Sequence, residues 1–187
     1  ARLKGADVAA ARVATHFMPS ELIPALARQL ESADFSDSAA ALLGEILGRF
    51  THAVPPGSFA PHRETIDRCF RFDTAEEILA ALDRDTGDWA HTEAATLRAK
   101  SPETVKVALR QLREGRRLES FEDNMRMEFR IGWRKVQSAD FLEGVRAVIV
   151  DKDNAPVWSP ARLEEVSPAD VGRYFAPLGA DELTFGD

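Results

Sequence analysis

The residue types able to do chemistry in this 187-residue chain fall into a few short groups. Lys152 stands in the charged turn Asp151-Lys152-Asp153-Asn154, directly behind an apolar helical pattern, and a helix ending in such a turn presents its lysine at a defined place. Lys106, Arg110, Arg113 and Arg117 recur at steps of four, three and four, which puts four cations on one helix face. Such a face is ordinarily just solvated; its sharper reading is contact with the phosphates of a ligand or with an acidic surface. His52 and His62 flank the loop THAVPPGSFAP, but a metal site would need a third ligand and a spacing such as H-E-x-x-H, and the sequence has neither. The single cysteine, Cys69, lies on the apolar face Ile66, Cys69, Phe70 with no base nearby in sequence, so it reads as packing, not as a nucleophile. The carboxylate pairs Glu76/Glu77 and Glu164/Glu165 are adjacent, point different ways on a helix, and read as surface. There is no G-x-S-x-G elbow and no glycine-rich phosphate loop. These groups by themselves make no active centre.

The elements that must position them read as helices. Alanine-rich residues 6–14 predict a short one. Ser20 is placed as the cap of a helix through about Leu30, with Pro24 in its first turn, and Ser36 as the cap of a helix from Asp37 to Leu47 that Gly48 stops. Residues 51–61 form the clearest loop, since two adjacent prolines and a glycine exclude helix and central strand. A helix from Arg63 to Phe70 follows, then one opened by the capping box Thr74-Ala75-Glu76-Glu77, a turn from Asp85 to Asp88 with Gly87 free to take positive φ, and a helix capped by Asp88. Ser101-Pro102 starts a helix to Gly115 whose core stripe is Val105, Ala108, Leu109 and Leu112. Ser120 starts the longest helix, through about Val136. It is apolar on two faces, one with Phe121, Met125, Phe129, Trp133 and Val136, the other with Met127 and Ile131. Asp140 with Glu143 reads as a capping box ahead of Phe141, Val145 and Val148, and Ser167-Pro168 opens a last helix. With no alternating strand pattern and no βαβ rhythm, the chain reads as mainly α.

The bulk numbers narrow the partners. At 44% hydrophobic and 29% charged the chain can build a core, and a net charge of −7 argues against a nucleic-acid partner. One cysteine excludes an internal disulfide and suits a reducing compartment; with no membrane-length apolar run and no visible signal peptide, a cytoplasmic place and no membrane partner are expected. The chain opens on Ala1-Arg2-Leu3 without a methionine, which reads as a piece of a longer protein.

Three stretches carry a resemblance. DFLEGVRAVIVDKDNAPVWSP, SPETVKVALRQLREG and, at the superfamily level, LKGADVAAARVATHFMPSELIP are similar to segments of the 3-hydroxyisobutyryl-CoA hydrolases, a branch of the crotonase (enoyl-CoA hydratase/isomerase) superfamily. The resemblance is looser from Ser32 to Lys100. It implies a mainly α, multi-helix C-terminal region of a crotonase-type enzyme without the ββα spiral core. Residues 1–31 would close that core and add a helix, 32–100 would form a helical insert with its Pro/Gly loop near 53–61, and 101–187 would hold the signature at 140–160. It further implies hydrolysis of 3-hydroxyisobutyryl-CoA, an intermediate of valine breakdown, to 3-hydroxyisobutyrate and coenzyme A. Coenzyme A then enters as part of the substrate, with no separate cofactor and no metal.

In that family two backbone N–H groups hold the thioester oxyanion, and a glutamate and an aspartate do the acid–base work. All precede the segment matched by Leu3, so no catalytic residue is placed in this chain, and the chain alone is expected not to turn over the thioester. The cofactor-binding candidate is Lys152, which matches a lysine near the phosphates of coenzyme A; its neighbours Asp151 and Asp153 oppose that role by repelling phosphate. Arg146 has the milder reading of a structural ion pair. The partners expected are an acyl-CoA substrate, the N-terminal half of the same protein, and a second copy through the Met127/Ile131 face. An enoyl-CoA hydratase or isomerase and a non-catalytic helical interaction module stand as alternatives.

Overall fold

Small polar residues and prolines punctuate the chain at helix starts, and the computed structural model follows that punctuation. It describes residues 3–186, and among them there is no strand. The chain divides into two units, residues 3–64 and 65–186.

The first unit holds α1 (Gly5–Ala10), α2 (Ile23–Ser32) and α3 (Ala39–Phe50), with α4 (Arg63–Cys69) leading out of it. The alanine-rich helix stops at Ala10 and not at Ala14, because Arg12 takes a left-handed φ of 58° and turns the chain. Ser20 does not cap α2. It begins a 3-10 turn, and α2 starts at Ile23 with Pro24 in its first turn, where no N–H is needed. Likewise α3 begins at Ala39, behind Ser38, and runs straight through Gly48 to Phe50. No neighbour demands a bend at Gly48, so the cost of glycine in mid-helix is simply borne. The loop at 51–61 is present and is tied down by Asp7, whose Oδ1 accepts the Ser58 N–H at 2.5 Å.

The second unit continues with α5 (Ala75–Arg84), α6 (Asp88–Arg98), α7 (Pro102–Gly115), α8 (Phe121–Lys135), α9 (Ala139–Val145) with a π-helical turn at Arg146–Val150, and α10 (Pro168–Gly172). The capping box of α5 is formed on both sides: Thr74 Oγ1 accepts the Glu77 N–H at 3.2 Å and Glu77 Oε2 accepts the Thr74 N–H at 3.1 Å. Ser101, Ser120 and Ser167 cap α7, α8 and α10 as their sequences predict. Gly87 differs from expectation. It sits at the cap of α6 with φ −90°, its N–H held by Asp85 Oδ1 at 2.8 Å, so the aspartate makes the turn and positive φ is not used.

Two apolar clusters hold this unit. Cys69, Ile78, Leu82, Ala90 and Ala94 join α4, α5 and α6, and Cys69 is buried packing. Val107, Met127, Ile131, Val166, Val171, Tyr174 and Phe175 join α7, α8, α10 and the chain on either side of α10. The two faces of α8 are therefore the reverse of what was expected. Met127 and Ile131 are core, so they offer no face to a second copy, while Phe121, Trp133 and Val136 lie exposed. The predicted core stripe of α7 is also displaced. Val107 takes the core position, and Leu112 is 74% exposed.

Candidate functional site

The signature stretch owes its shape to four polar anchors. Ser138, not Asp140, caps α9, accepting the Phe141 N–H at 3.2 Å. That leaves the Asp140 carboxylate free to turn inward, where it is buried. Its Oδ1 accepts the Ser159 N–H at 3.0 Å, and its Oδ2 accepts the hydroxyl of Ser101, which itself caps α7. One carboxylate thus ties the starts of α7 and α9 to the chain beyond the signature turn. Glu143 does not close a box either. It accepts Arg146 Nη2 at 2.8 Å and Nε at 2.9 Å, and the Val157 N–H at 2.7 Å.

Arg146 is the hub. Its Nη1 reaches Asp151 at 2.6 Å and Asp153 at 2.7 Å, and Nη2 donates to the Ala155 carbonyl at 3.2 Å. The planar fork suits this work, since it can serve several carboxylates in fixed directions. Glu143 is held down to about 2 by Arg146 and then by the Val157 N–H. Arg146 is pushed up by Glu143, Asp153 and Asp151. The ion pair expected of Arg146 is therefore present, with three carboxylates and not one. Trp158 closes the turn: its indole N–H donates to the Ala99 carbonyl at 3.0 Å, and its ring lies against Gly144.

Lys152 sits at the apex of this braced turn, exposed, at φ 58°, with Asn154 beside it at φ 53°. No ion pair to Lys152 is found among the described residues. The flanking carboxylates, which alone would repel a phosphate, both face Arg146. Their opposition is weakened but not removed, since Glu143, Asp151 and Asp153 still outnumber the two cations.

Beside α9 runs an open apolar groove of about 990 Å³ in the second unit. Val105, Ala108, Leu109 and Leu112 of α7, Phe141, Val148 and Ile149, and Trp158 are among its walls. The displaced stripe of α7 is thus a groove wall. Three cations of the expected basic face are engaged by other groups of the chain, and Arg117 lies exposed beyond the end of α7. Lys106 binds Glu76 at 2.6 Å and the Val166 carbonyl at 2.9 Å, Arg110 lies over the Phe175 ring at 4.3 Å, and Arg113 binds Asp73 and the Phe72 carbonyl. Glu76 is accordingly a structural ion-pair partner, while Glu77, Glu164 and Glu165 are surface residues.

A buried cluster escaped the sequence reading. Glu103 accepts the Tyr174 hydroxyl at 2.5 Å, Lys135 at 3.1 Å and Arg173 at 2.5 Å. Burial pushes its carboxyl up, but those three donors outweigh burial and hold it below the ordinary range. Tyr174 is raised to about 12 by burial and by the Glu103 carboxylate. The one available sign was a glutamate in the first turn of α7 on its apolar side. Among the described residues no group of three or more His, Cys, Asp or Glu is arranged to hold a metal ion, and no helix is long and apolar enough to cross a membrane.

Comparison with known proteins places this arrangement. Mitochondrial 3-hydroxyisobutyryl-CoA hydrolase of Rattus norvegicus is 36% identical over 98% of this chain and 48% of its own length. A probable 3-hydroxyisobutyryl-CoA hydrolase of Arabidopsis thaliana is 37% identical over 97% of this chain and 50% of its own. A carnitinyl-CoA dehydratase of known structure from Mycobacterium thermoresistibile superposes with a TM-score of 0.83 at 33% identity, over 98% of this chain and 50% of that one. An enoyl-CoA hydratase from Rhodobacter sphaeroides gives 0.81 at 34% identity, over 99% and 51%. The chain spans about half the length of the relatives it matches. Since the enoyl-CoA hydratase/isomerase family model matches residues 1–175, the chain belongs to that family.

Proposed function

We propose that this chain is the C-terminal helical half of an acyl-CoA thioester hydrolase that cleaves 3-hydroxyisobutyryl-CoA to 3-hydroxyisobutyrate and coenzyme A, a step of valine breakdown. The observation that carries the proposal is the similarity to hydrolases of that name over 97–98% of the chain. The braced turn supports it, because three carboxylates of the signature stretch, Glu143, Asp151 and Asp153, converge on Arg146. The oxyanion donors and the acid–base carboxylates belong, in this reading, to the N-terminal half, and no residue of this chain is assigned to the chemical step. Coenzyme A enters with the substrate, and Lys152 meets its phosphates. A cytoplasmic place for the whole protein is part of the reading, although the animal relatives are named as mitochondrial.

The test is release of free thiol from 3-hydroxyisobutyryl-CoA by the full-length protein and by this chain at equal molarity. Turnover by the full-length protein, with this chain slower by more than a hundredfold, is expected, because loss of one oxyanion donor alone costs roughly a hundred- to a thousandfold. Comparable turnover by this chain would refute the assignment. Lys152→Ala in the full-length protein should raise KM by about two- to fivefold and leave kcat unchanged, the worth of one exposed ion pair. A second reading is hydration of an enoyl-CoA, favoured by the structural likeness to an enoyl-CoA hydratase and a carnitinyl-CoA dehydratase. Hydration outpacing thiol release would select it. A non-catalytic helical module, the third reading, requires that no companion half be encoded with this chain.

A further inference from the structure

The turn from Asp151 to Ala155 closes on a single side chain. Its backbone is stitched to the end of the π-helical turn, where the Asp151 N–H donates to the Arg146 carbonyl at 2.8 Å and the Asn154 N–H to the Ala147 carbonyl at 3.0 Å. Within that loop Lys152 and Asn154 take left-handed φ, a conformation that residues other than glycine keep where their surroundings hold them. The hold comes from Arg146. A guanidinium has five N–H donors, and here they make five bonds: two to Glu143, one each to Asp151 and Asp153, and one to the Ala155 carbonyl. Asp151 and Asp153 flank Lys152 in the chain, so the arginine grips the turn on both sides of the lysine. With its donors taken, Arg146 has nothing left to offer an anion directly. Lys152, exposed and without an ion pair among the described residues, does.

We propose that Arg146 is a positioning residue for coenzyme A, holding Lys152 at the exposed apex of the turn and drawing the two flanking carboxylates onto itself. The proposal rests on the reading of Lys152 given under Proposed function. Without the arginine, Asp151 and Asp153 would keep their charge beside an arriving phosphate with no cation between them, and two like charges outweigh one lysine. The apex would also lose the contacts that fix it, since Asp151, Asp153 and the Ala155 carbonyl all meet the same guanidinium. A lysine at 146 would keep the charge but not the planar fork, and its three donors cannot serve five contacts. The effect of Arg146 on coenzyme A must therefore run through Lys152 and the two aspartates.

The experiment is a double-mutant cycle on the full-length protein with two substrates. One is 3-hydroxyisobutyryl-CoA; the other is the same acyl thioester of pantetheine, which keeps the reacting end and lacks the nucleotide phosphates. Arg146→Met should raise KM for the CoA thioester by about tenfold, more than Lys152→Ala does, because it loses the lysine contact and uncovers two repelling carboxylates. Lys152→Ala added to Arg146→Met should cost less than about a further twofold, since the lysine is no longer held in place. Asp151→Asn with Asp153→Asn, added to Arg146→Met, should recover part of the rise. Arg146→Lys, the milder change should the methionine variant fail to fold, should raise KM by about threefold. None of these variants should differ from wild type by more than about twofold on the pantetheine thioester, a readout that damage to the fold would not spare. Equal losses on the two substrates, full additivity of Arg146→Met with Lys152→Ala, or no recovery from the asparagines would overturn the proposal. Calorimetric titration of free coenzyme A repeats the cycle without turnover. The same pattern of lost affinity in a protein that does not hydrolyse the thioester would sink the functional reading and leave the clamp standing. Hydrolysis with a KM indifferent to Arg146→Met and Arg146→Lys would do the opposite.

Discussion

Replacing Glu103 with alanine should cost the second unit more than any surface change. The side chain is 7% exposed and Lys135 is 17% exposed, so this pair is desolvated and unscreened, whereas Arg173 is 59% exposed and adds little. Alanine would leave the Lys135 ammonium without its carboxylate and the buried Tyr174 hydroxyl without its acceptor. Breaking a buried pair from one side costs about 3–5 kcal/mol, and the lower end applies because Lys135 keeps some access to water. At about 2–4 °C per kcal/mol for a chain of this size, a loss near 3 kcal/mol lowers Tm by roughly 6–12 °C. The assay is thermal and urea unfolding followed by tryptophan fluorescence, since Trp89, Trp133 and Trp158 all lie in this unit.

Two comparisons sharpen that experiment. Removing the stranded cation as well, in the Glu103→Ala/Lys135→Met double variant, should recover part of the loss, because a buried charge without a partner is the costly species. Glu103 is held below its ordinary value of 4.5, so its contribution is present above that pH and is lost as pH falls towards the folded value. The wild type should therefore lose stability below about pH 4.5 more steeply than Glu103→Gln. A Tm drop under about 2 °C for Glu103→Ala, or a double variant weaker by the full sum of its singles, would refute the reasoning.

Met127→Lys should unfold the second unit, since the residue is core, while Phe121→Ser on the exposed face of α8 should stay within about 0.5 kcal/mol of wild type in urea titration. Arg146→Met should loosen the 151–155 turn, read as faster tryptic cleavage after Lys152, with the helices elsewhere unchanged in far-UV circular dichroism. Glu143 is depressed to about 2, so the bond it accepts from Val157 persists through pH 4 and is lost as pH falls through that value, which hydrogen exchange at the Val157 amide can follow. Tyr174, raised to about 12 from an ordinary 10, stabilises the fold below pH 10 and ceases to do so as pH rises through 12; Tyr174→Phe should remove that alkaline step from a pH titration of stability.

The starts of α5, α7, α8 and α10 and the mainly α character were legible from sequence alone, because a cap is an exchange among residues three apart. Thr74 with Glu77, Ser101 ahead of Pro102, and Ser120 and Ser167 with their aspartates satisfy backbone groups that only local chain can reach. The packing of Cys69 was legible for the same reason, as it lies on a short apolar face. Where a residue had two local uses, distance in the chain decided. Asp140 looks like a cap, but Ser138 takes that task, and Ser101 and Ser159, from 39 and 19 residues away, claim its carboxylate. The two apolar faces of α8 were visible in the periodicity; which one is core was not. Val107 arrives from α7, and Tyr174 and Phe175 from beyond α10, to cover Met127 and Ile131, leaving Phe121 and Trp133 to water. The groove wall on α7 has the same origin. Periodicity records that Val105, Ala108, Leu109 and Leu112 share a side, but burial depends on what stands opposite, and only the folded chain determines that.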